Sequence, residues 1–152
     1  MSKLGVLLMA VLVVGCSEPR VTSLSGPEIY TATCATCHGS DGLGVNNAFP
    51  PLAGSAWVAL PDSLLIRLTL RGLRGPIRVG EQEYNNVMPP NDFLSNEQLA
   101  AVLSFVRREF GPTAAAQSPD ITSSQVAVER GRFGAGSMWT IEELTGSGSA
   151  RR

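Results

Sequence analysis

Five consecutive residues carry the most specific chemistry of this chain: Cys34-Ala35-Thr36-Cys37-His38. On a helix, residues three and four apart share a face, so Cys34, Cys37 and His38 project together. Two thiols can then add to two vinyl groups while the imidazole reaches an iron, and C-x-x-C-H is the signature of covalent haem attachment. His38 is the only histidine in the sequence. Two other chemistries use similar spacings. A thioredoxin-like C-x-x-C sits near a βαβ pattern, and none is visible here. A structural zinc site takes four ligands, whereas this cluster offers three and has no second cluster to complete it.

An iron with both axial positions filled needs a second ligand. Past the first fifteen residues the only methionines are Met88 and Met138. Met88 is followed by Pro89-Pro90, which stiffen the loop and exclude helix there. That suits a ligand held at fixed distance from a metal. Met138 lies between Ser137 and Trp139 in a Gly/Ser-rich tail, where ordinary packing accounts for a methionine.

The rest of the chain positions this pair. With 152 residues it has room for one compact domain plus short appendages. Aromatics are few and Gly and Pro abundant, so much of the chain should be loop around a thin core that a buried cofactor would complete. The formal charge of −1 gives no sign of a nucleic-acid partner.

Lys3, the apolar run Leu4 to Val14 and Gly15 read as an export signal, too short for a membrane span. Val13-Val14-Gly15-Cys16 resembles the lipobox of bacterial lipoproteins. The resemblance implies cleavage before Cys16, which then carries the lipid and anchors the protein to the periplasmic face of a bacterial membrane. The alternative is an ordinary cleaved signal with Cys16 uninvolved. The expected organisation is a lipoprotein signal over 1–15, a polar tether over 16–25, a domain over 26–111 and a C-terminal extension over 112–152.

Within the domain, Pro27 opens a first helix that runs to Thr36. Residues 40–52 form a loop. A second helix spans Pro61 to Arg71 and stops at Gly72. Ile77 to Val79 and Glu83-Tyr84 pair as a small hairpin around Gly80. The last core helix has Ser95 and Gln98 as a capping box, with Leu99, Val102, Leu103, Val106 and Phe110 on its inner face. Residues 113–118 read as a linker of small residues. Capping boxes Thr122/Gln125 and Thr140/Glu143 then predict two short helices. They lie on the domain as a strap anchored by Phe133 or Trp139, unless the tail is disordered. Disorder is expected over 146–152.

The whole pattern resembles the class I cytochromes c. Gly26 and Tyr30 match that family's first helix, Pro50 and Leu52 its proximal loop, and Met88 and the helix over 95–109 its distal half. Asp41-Gly42-Leu43-Gly44, Phe49-Pro50-Pro51-Leu52, Gly72 to Val79 and Tyr84-Asn85 resemble a subset of it. That subset donates electrons to haem–copper oxidases or serves periplasmic dehydrogenases and nitrogen-oxide reductases. The resemblance implies an all-α cytochrome c fold and one haem c. It also implies thioethers at Cys34 and Cys37, His38 and Met88 as iron ligands, and the Pro50 carbonyl accepting from the His38 ring.

The expected activity is one-electron transfer by a monomer that is not an enzyme. His/Met ligation raises the potential and leaves no site for oxygen. The alternative is a haem enzyme such as a small peroxidase or nitrite reductase, which would need an open iron site and a distal base. A gas sensor would need an output domain, and none is expected in this sequence. Trp57, Arg71, Arg74 and Arg78 are candidate donors to the haem propionates.

Overall fold

The computed structural model describes residues 24–45 and 47–146. The leader, Cys16, most of the tether and the tail beyond Gly146 lie outside the described residues.

The first helix starts where its cap dictates. The Ser25 backbone N–H and hydroxyl both donate to the Glu28 carboxylate, at 2.7 and 2.6 Å, and Pro27 occupies the first turn. The helix then runs in three joined segments, α1 (Gly26–Ile29), a π-helical turn (Tyr30–Cys34) and α2 (Ala35–His38). It therefore extends past both expected ends, and Gly39, at φ +77°, terminates it. The π turn has no signature in the sequence. It inserts an extra residue in the register between Tyr30 and the Cys34–His38 group, and such turns favour functional sites.

Helix α3 (Asp62–Arg71) begins after Pro61 and ends at Gly72. Strands β1 (Ile77–Val79) and β2 (Gln82–Tyr84) form the antiparallel hairpin, with Val79 opposite Gln82 and Ile77 opposite Tyr84. Helix α4 (Asn96–Phe110) carries the predicted box: the Gln98 N–H donates to the Ser95 hydroxyl and the Ser95 N–H to the Gln98 side chain. All five residues of its expected inner face are buried. Burying each such side chain contributes roughly 1.5–3 kcal/mol, so this face dominates the core.

Helices α1 and α4 cross at Gly26, where a Cβ would come within 2.5 Å of the Ala101 carbonyl oxygen and 2.8 Å of the Phe105 Cβ. Only glycine permits that approach. Beside the crossing, Tyr30 packs on Phe105 and Phe110, with ring centroids 5.5 and 5.0 Å away. Its hydroxyl donates to the Gly39 carbonyl at 2.6 Å, closing the two ends of the haem-motif helix on each other.

The C-terminal extension is folded onto this frame. The stretch over 113–118 departs from the expected linker: Thr113–Ala116 forms a short helix, α5, because Pro112 starts it and alanine-rich sequence continues it. Helix α6 (Ser123–Phe133) packs on α3 and α4 and buries Val126, and α7 (Ile141–Leu144) buries Leu144. Two buried charges fix the packing. Arg107 pairs with Asp62 at 2.5 Å and donates to the Val58 and Leu60 carbonyls, and Arg67 pairs with Glu129 at 2.5 Å. No helix among the described residues is long and apolar enough to cross a membrane.

Candidate functional site

Between the first helix, α3, α4 and the hairpin lies a cleft, partly open to solvent, with a cavity volume of about 150 Å³. Cys34, Cys37, His38, Pro50, Met88 and Trp57 all line it, along with apolar side chains from α3 and α4. Protein interiors are close-packed, with few voids larger than a water molecule, so an apolar cavity of this size leaves room for a bound group. Its lining suits a mostly apolar one.

The wall supplied by the first helix carries the reactive groups. Cys34 and Cys37 are both free thiols and half-buried. Burial, and then the neighbouring Cys37, push the Cys34 thiol up to about 11, so it is protonated at neutral pH. The His38 ring is held by the Pro50 carbonyl, 2.9 Å from Nδ1. A carbonyl only accepts, so Nδ1 carries the proton and Nε2 keeps its lone pair. Burial, only partly opposed by that hydrogen bond, moves the His38 pKa below its ordinary value. The ring is thus a neutral, oriented donor, the state that metal ligation requires.

Met88 reaches the same cleft from a loop that is tied down on both sides. Its N–H donates to the Leu73 carbonyl and its carbonyl accepts from the Leu73 N–H, each at 2.9 Å. Three residues on, the Asn91 N–H donates to the Thr69 carbonyl at 3.0 Å, and the Asn91 side chain donates to the Pro89 carbonyl at 3.2 Å. Across the mouth, the Asn86 amide donates to the Ala48 carbonyl at 2.8 Å and links this loop to the proximal one. Gly72, at φ +71°, lets the chain leave α3 beneath the Met88 carbonyl, where any Cβ would collide.

The fold thus gathers Cys34, Cys37, His38, Pro50 and Met88 on one cleft and leaves Met138 off its lining. No Arg, Asp or Glu lines the cleft among the described residues. Arg71 donates to the Ser137 carbonyl and stacks on Trp139, and Arg74 donates to the Met138 carbonyl. Trp57 does line the cleft, but its indole N–H donates to the Arg78 carbonyl at 3.0 Å. Long side chains from α3 reach the extension before they reach the cleft. Sequence reasoning passed over Asn86 and Asn91; two asparagines flanking Met88-Pro89-Pro90 were the available signal.

Residues 23–108 match the Cytochrome c family. The chain is 39% identical over 108 residues to a cytochrome c-552 of Thermus thermophilus, covering 68% of this chain and 71% of that protein. It is 37% identical over 93 residues to the cytochrome c subunit of a quinone alcohol dehydrogenase from Gluconobacter oxydans, covering 59% of this chain and 19% of that subunit. The family, the free C-x-x-C-H cysteines and the apolar cleft agree on one cofactor, a covalently bound haem c with its iron. The chain belongs to the cytochrome c family, whose members carry electrons rather than catalyse reactions.

Proposed function

We propose that this chain passes single electrons through one haem joined to Cys34 and Cys37, with His38 and Met88 as its axial ligands. One observation carries the reading. His38 and Met88, far apart in sequence, line the same apolar cleft, each fixed by backbone partners that leave its donor atom unused. When bound, the haem supplies a one-electron iron couple. The chain's own residues set its behaviour. The His38 Nε2 lone pair is a basic donor, sharpened by the Nδ1–H bond to Pro50. The Met88 thioether is a soft donor that favours the reduced iron and raises the potential. With both positions filled, no site remains for oxygen or peroxide, and the apolar walls keep water from the ring.

The test is Met88→Ala. The variant should keep its haem covalently attached, lose the weak red-end absorption band of the oxidised protein, and bind carbon monoxide readily when reduced. An unchanged band and unchanged carbon monoxide binding would refute the ligand assignment.

The proposed setting rests on the sequence pattern. Residues 26–111 form the haem-binding domain, with 112–152 as an extension. Cleavage before Cys16 and its lipidation would hold the protein at the periplasmic face of a bacterial membrane, through a tether over 16–25. The partner is a redox protein; similarity to a dehydrogenase cytochrome subunit supports a dehydrogenase, with a terminal oxidase or nitrogen-oxide reductase as the other classes. Cys16→Ser should abolish membrane retention, and a mature N-terminus beyond Cys16 would rule the anchor out.

A further inference from the structure

The extension does more than cover the domain, because its backbone joins the segment that holds Met88. Leu73 stands at the centre of a three-chain ladder. On one side it exchanges two hydrogen bonds with Met88 in an antiparallel bridge, both at 2.9 Å. On the other it lies in a parallel bridge with Trp139: the Trp139 N–H donates to the Gly72 carbonyl at 3.1 Å, and the Arg74 N–H donates to the Trp139 carbonyl at 2.8 Å. Segment 72–74 is a connection between α3 and the hairpin, with no helix or strand of its own. Without Trp139 it would be an unpaired edge, free to shift with its Met88 partner attached.

The Trp139 side chain is fixed from three directions. Its indole N–H donates to the Arg67 carbonyl at 3.0 Å. The Arg71 guanidinium lies 3.7 Å above the ring, a cation–π contact. Phe133 approaches at 6.2 Å between centroids. Trp139 and Met88 also pack against the same small apolar cluster of Leu68, Leu73 and Leu144, which is separate from the main core. The first turn of contact beyond Met88 is thus built by the extension, some fifty residues later in the chain.

We propose that Trp139 is a positioning residue for the axial methionine: it clamps Gly72–Arg74 from behind, and so holds Met88 on the iron against thermal opening of the ligand loop. The inference rests on Met88 being the ligand. Loss of the clamp should loosen Met88 before the protein unfolds, while the His38 side, on its own helix and the Pro50 carbonyl, is left unchanged.

The experiment uses the full-length holoprotein and three variants. Trp139→Ala leaves the backbone bridge possible but removes the indole hydrogen bond, the Arg71 stack and the Phe133 contact that pin Trp139, and with it the bridge, in place. Trp139→Phe keeps a ring over which Arg71 can stack and keeps the backbone ladder. Val126→Ala opens a cavity in α6, in the main core and away from the ladder, as a control for general destabilisation. Two readouts are followed during heating and denaturant titration: the red-end band for the Met–iron bond, and far-ultraviolet circular dichroism for the fold. Trp139→Ala should lose the band well before the helices melt. Its reduced form should take up carbon monoxide about tenfold faster than wild type or more, as expected when ~1.4 kcal/mol is lost from the closed state. Trp139→Phe should restore most of the wild-type behaviour. In Val126→Ala band and helices should be lost together. Coincident loss of band and helix in Trp139→Ala, with carbon monoxide uptake as in wild type, would overturn the proposal. So would a Val126→Ala protein that separates the two transitions equally. A wild-type protein with no red-end band would instead refute the Met88 assignment on which the proposal rests.

Discussion

The two walls of the haem cleft are built by different means. The His38 wall is local. Tyr30, the two cysteines, His38 and Gly39 lie within one helix and its terminus, and Tyr30 closes that unit on itself through the Gly39 carbonyl. Its outside supports are the next loop, where the Pro50 carbonyl meets the His38 ring and the Gly44 N–H donates to the His38 carbonyl, and the Phe105 and Phe110 rings of α4 against Tyr30. The Met88 wall is assembled from distance. Leu73 and Thr69 hold its backbone, Asn86 ties it to Ala48, and Trp139 backs Leu73 from the extension. Local construction should tie the first wall to the global fold, and long-range construction should give the second wall its own separable stability.

A pair of glycine substitutions tests that contrast most severely. Gly72→Ala forces a Cβ into the Met88 carbonyl at a residue with φ +71°. Strain of this kind costs about 1–3 kcal/mol before the collision is counted, and all of it falls on the ligand loop. The variant should lose its red-end band while the haem stays attached. Gly26→Ala instead places a Cβ against the Ala101 carbonyl and Phe105 at the helix crossing. Overpacking there costs about 1–3 kcal/mol. It should lower the melting temperature and leave the band intact up to the point of unfolding. Calorimetry and visible spectra on both proteins check the pair; a Gly26→Ala protein that loses the band while still folded would erase the distinction.

Tyr30→Phe is a gentler probe of the local wall. It removes a 2.6 Å hydrogen bond to the Gly39 carbonyl, which keeps only the longer bond from the Gly42 N–H at 3.3 Å. The expected loss is about 1–2 kcal/mol in denaturant unfolding, with no change in the Met–iron band. The same residue predicts a pH effect. Burial first, then the Cys34 and Asp41 charges, push the Tyr30 phenol up to about 12. Once Cys34 is a thioether its charge is gone, and burial with Asp41 maintains the direction. The folded state favours the protonated phenol, so its contribution is full below the ordinary tyrosine value near pH 10. It is lost as pH rises through the folded value. Stability should therefore fall above pH ~10 in wild type and less in Tyr30→Phe. Equal pH profiles for the two proteins would mean that the phenol is not protected.

The smallest expected effect concerns the outer rim, where the two walls meet. Val45 and Val87 are exposed there, beside Ala48, Phe49 and Pro89 from the same two loops, and Ala35 lies on the haem-motif helix. Several described arginines are engaged elsewhere: Arg67, Arg107 and Arg108 pair with acids, and Arg71 and Arg130 donate to backbone carbonyls. An apolar docking surface needs little electrostatic steering. A membrane anchor would raise the effective concentration of the carrier and allow a weak encounter. Electron transfer to the physiological partner should thus depend only shallowly on ionic strength in stopped-flow measurements. A rate falling by orders of magnitude between low and moderate salt would contradict it.

The local wall was almost wholly legible in the sequence, and the assembled wall only in part. C-x-x-C-H needs nothing beyond helical spacing, and the Ser95, Thr122 and Thr140 capping boxes each start a helix where expected. Met88 was legible because two prolines follow it. Its supports were not, since a backbone bridge such as Leu73 to Trp139 depends on no side-chain type and leaves no residue signature. The contacts of Arg71 and Arg74 were hidden for the same reason. Their charge suggested an anionic partner, while their reach is decided by carbonyls of Ser137 and Met138 more than sixty residues away. The π turn over Tyr30–Cys34 is likewise a tertiary effect on a sequence that locally favours an ordinary helix.

The central claim is that Met88, and not Met138 or an open site, completes the iron ligation opposite a His38 ring fixed by Pro50. Nuclear magnetic resonance of the reduced holoprotein with ¹³C-labelled methionine methyl groups tests it most directly, because a methyl held over the haem face is shifted far upfield by the ring current. One methyl should appear far upfield and vanish in Met88→Leu, with the Met138 methyl at an ordinary position in both proteins. Ordinary shifts for every methionine, or an upfield methyl that survives Met88→Leu, would contradict the account.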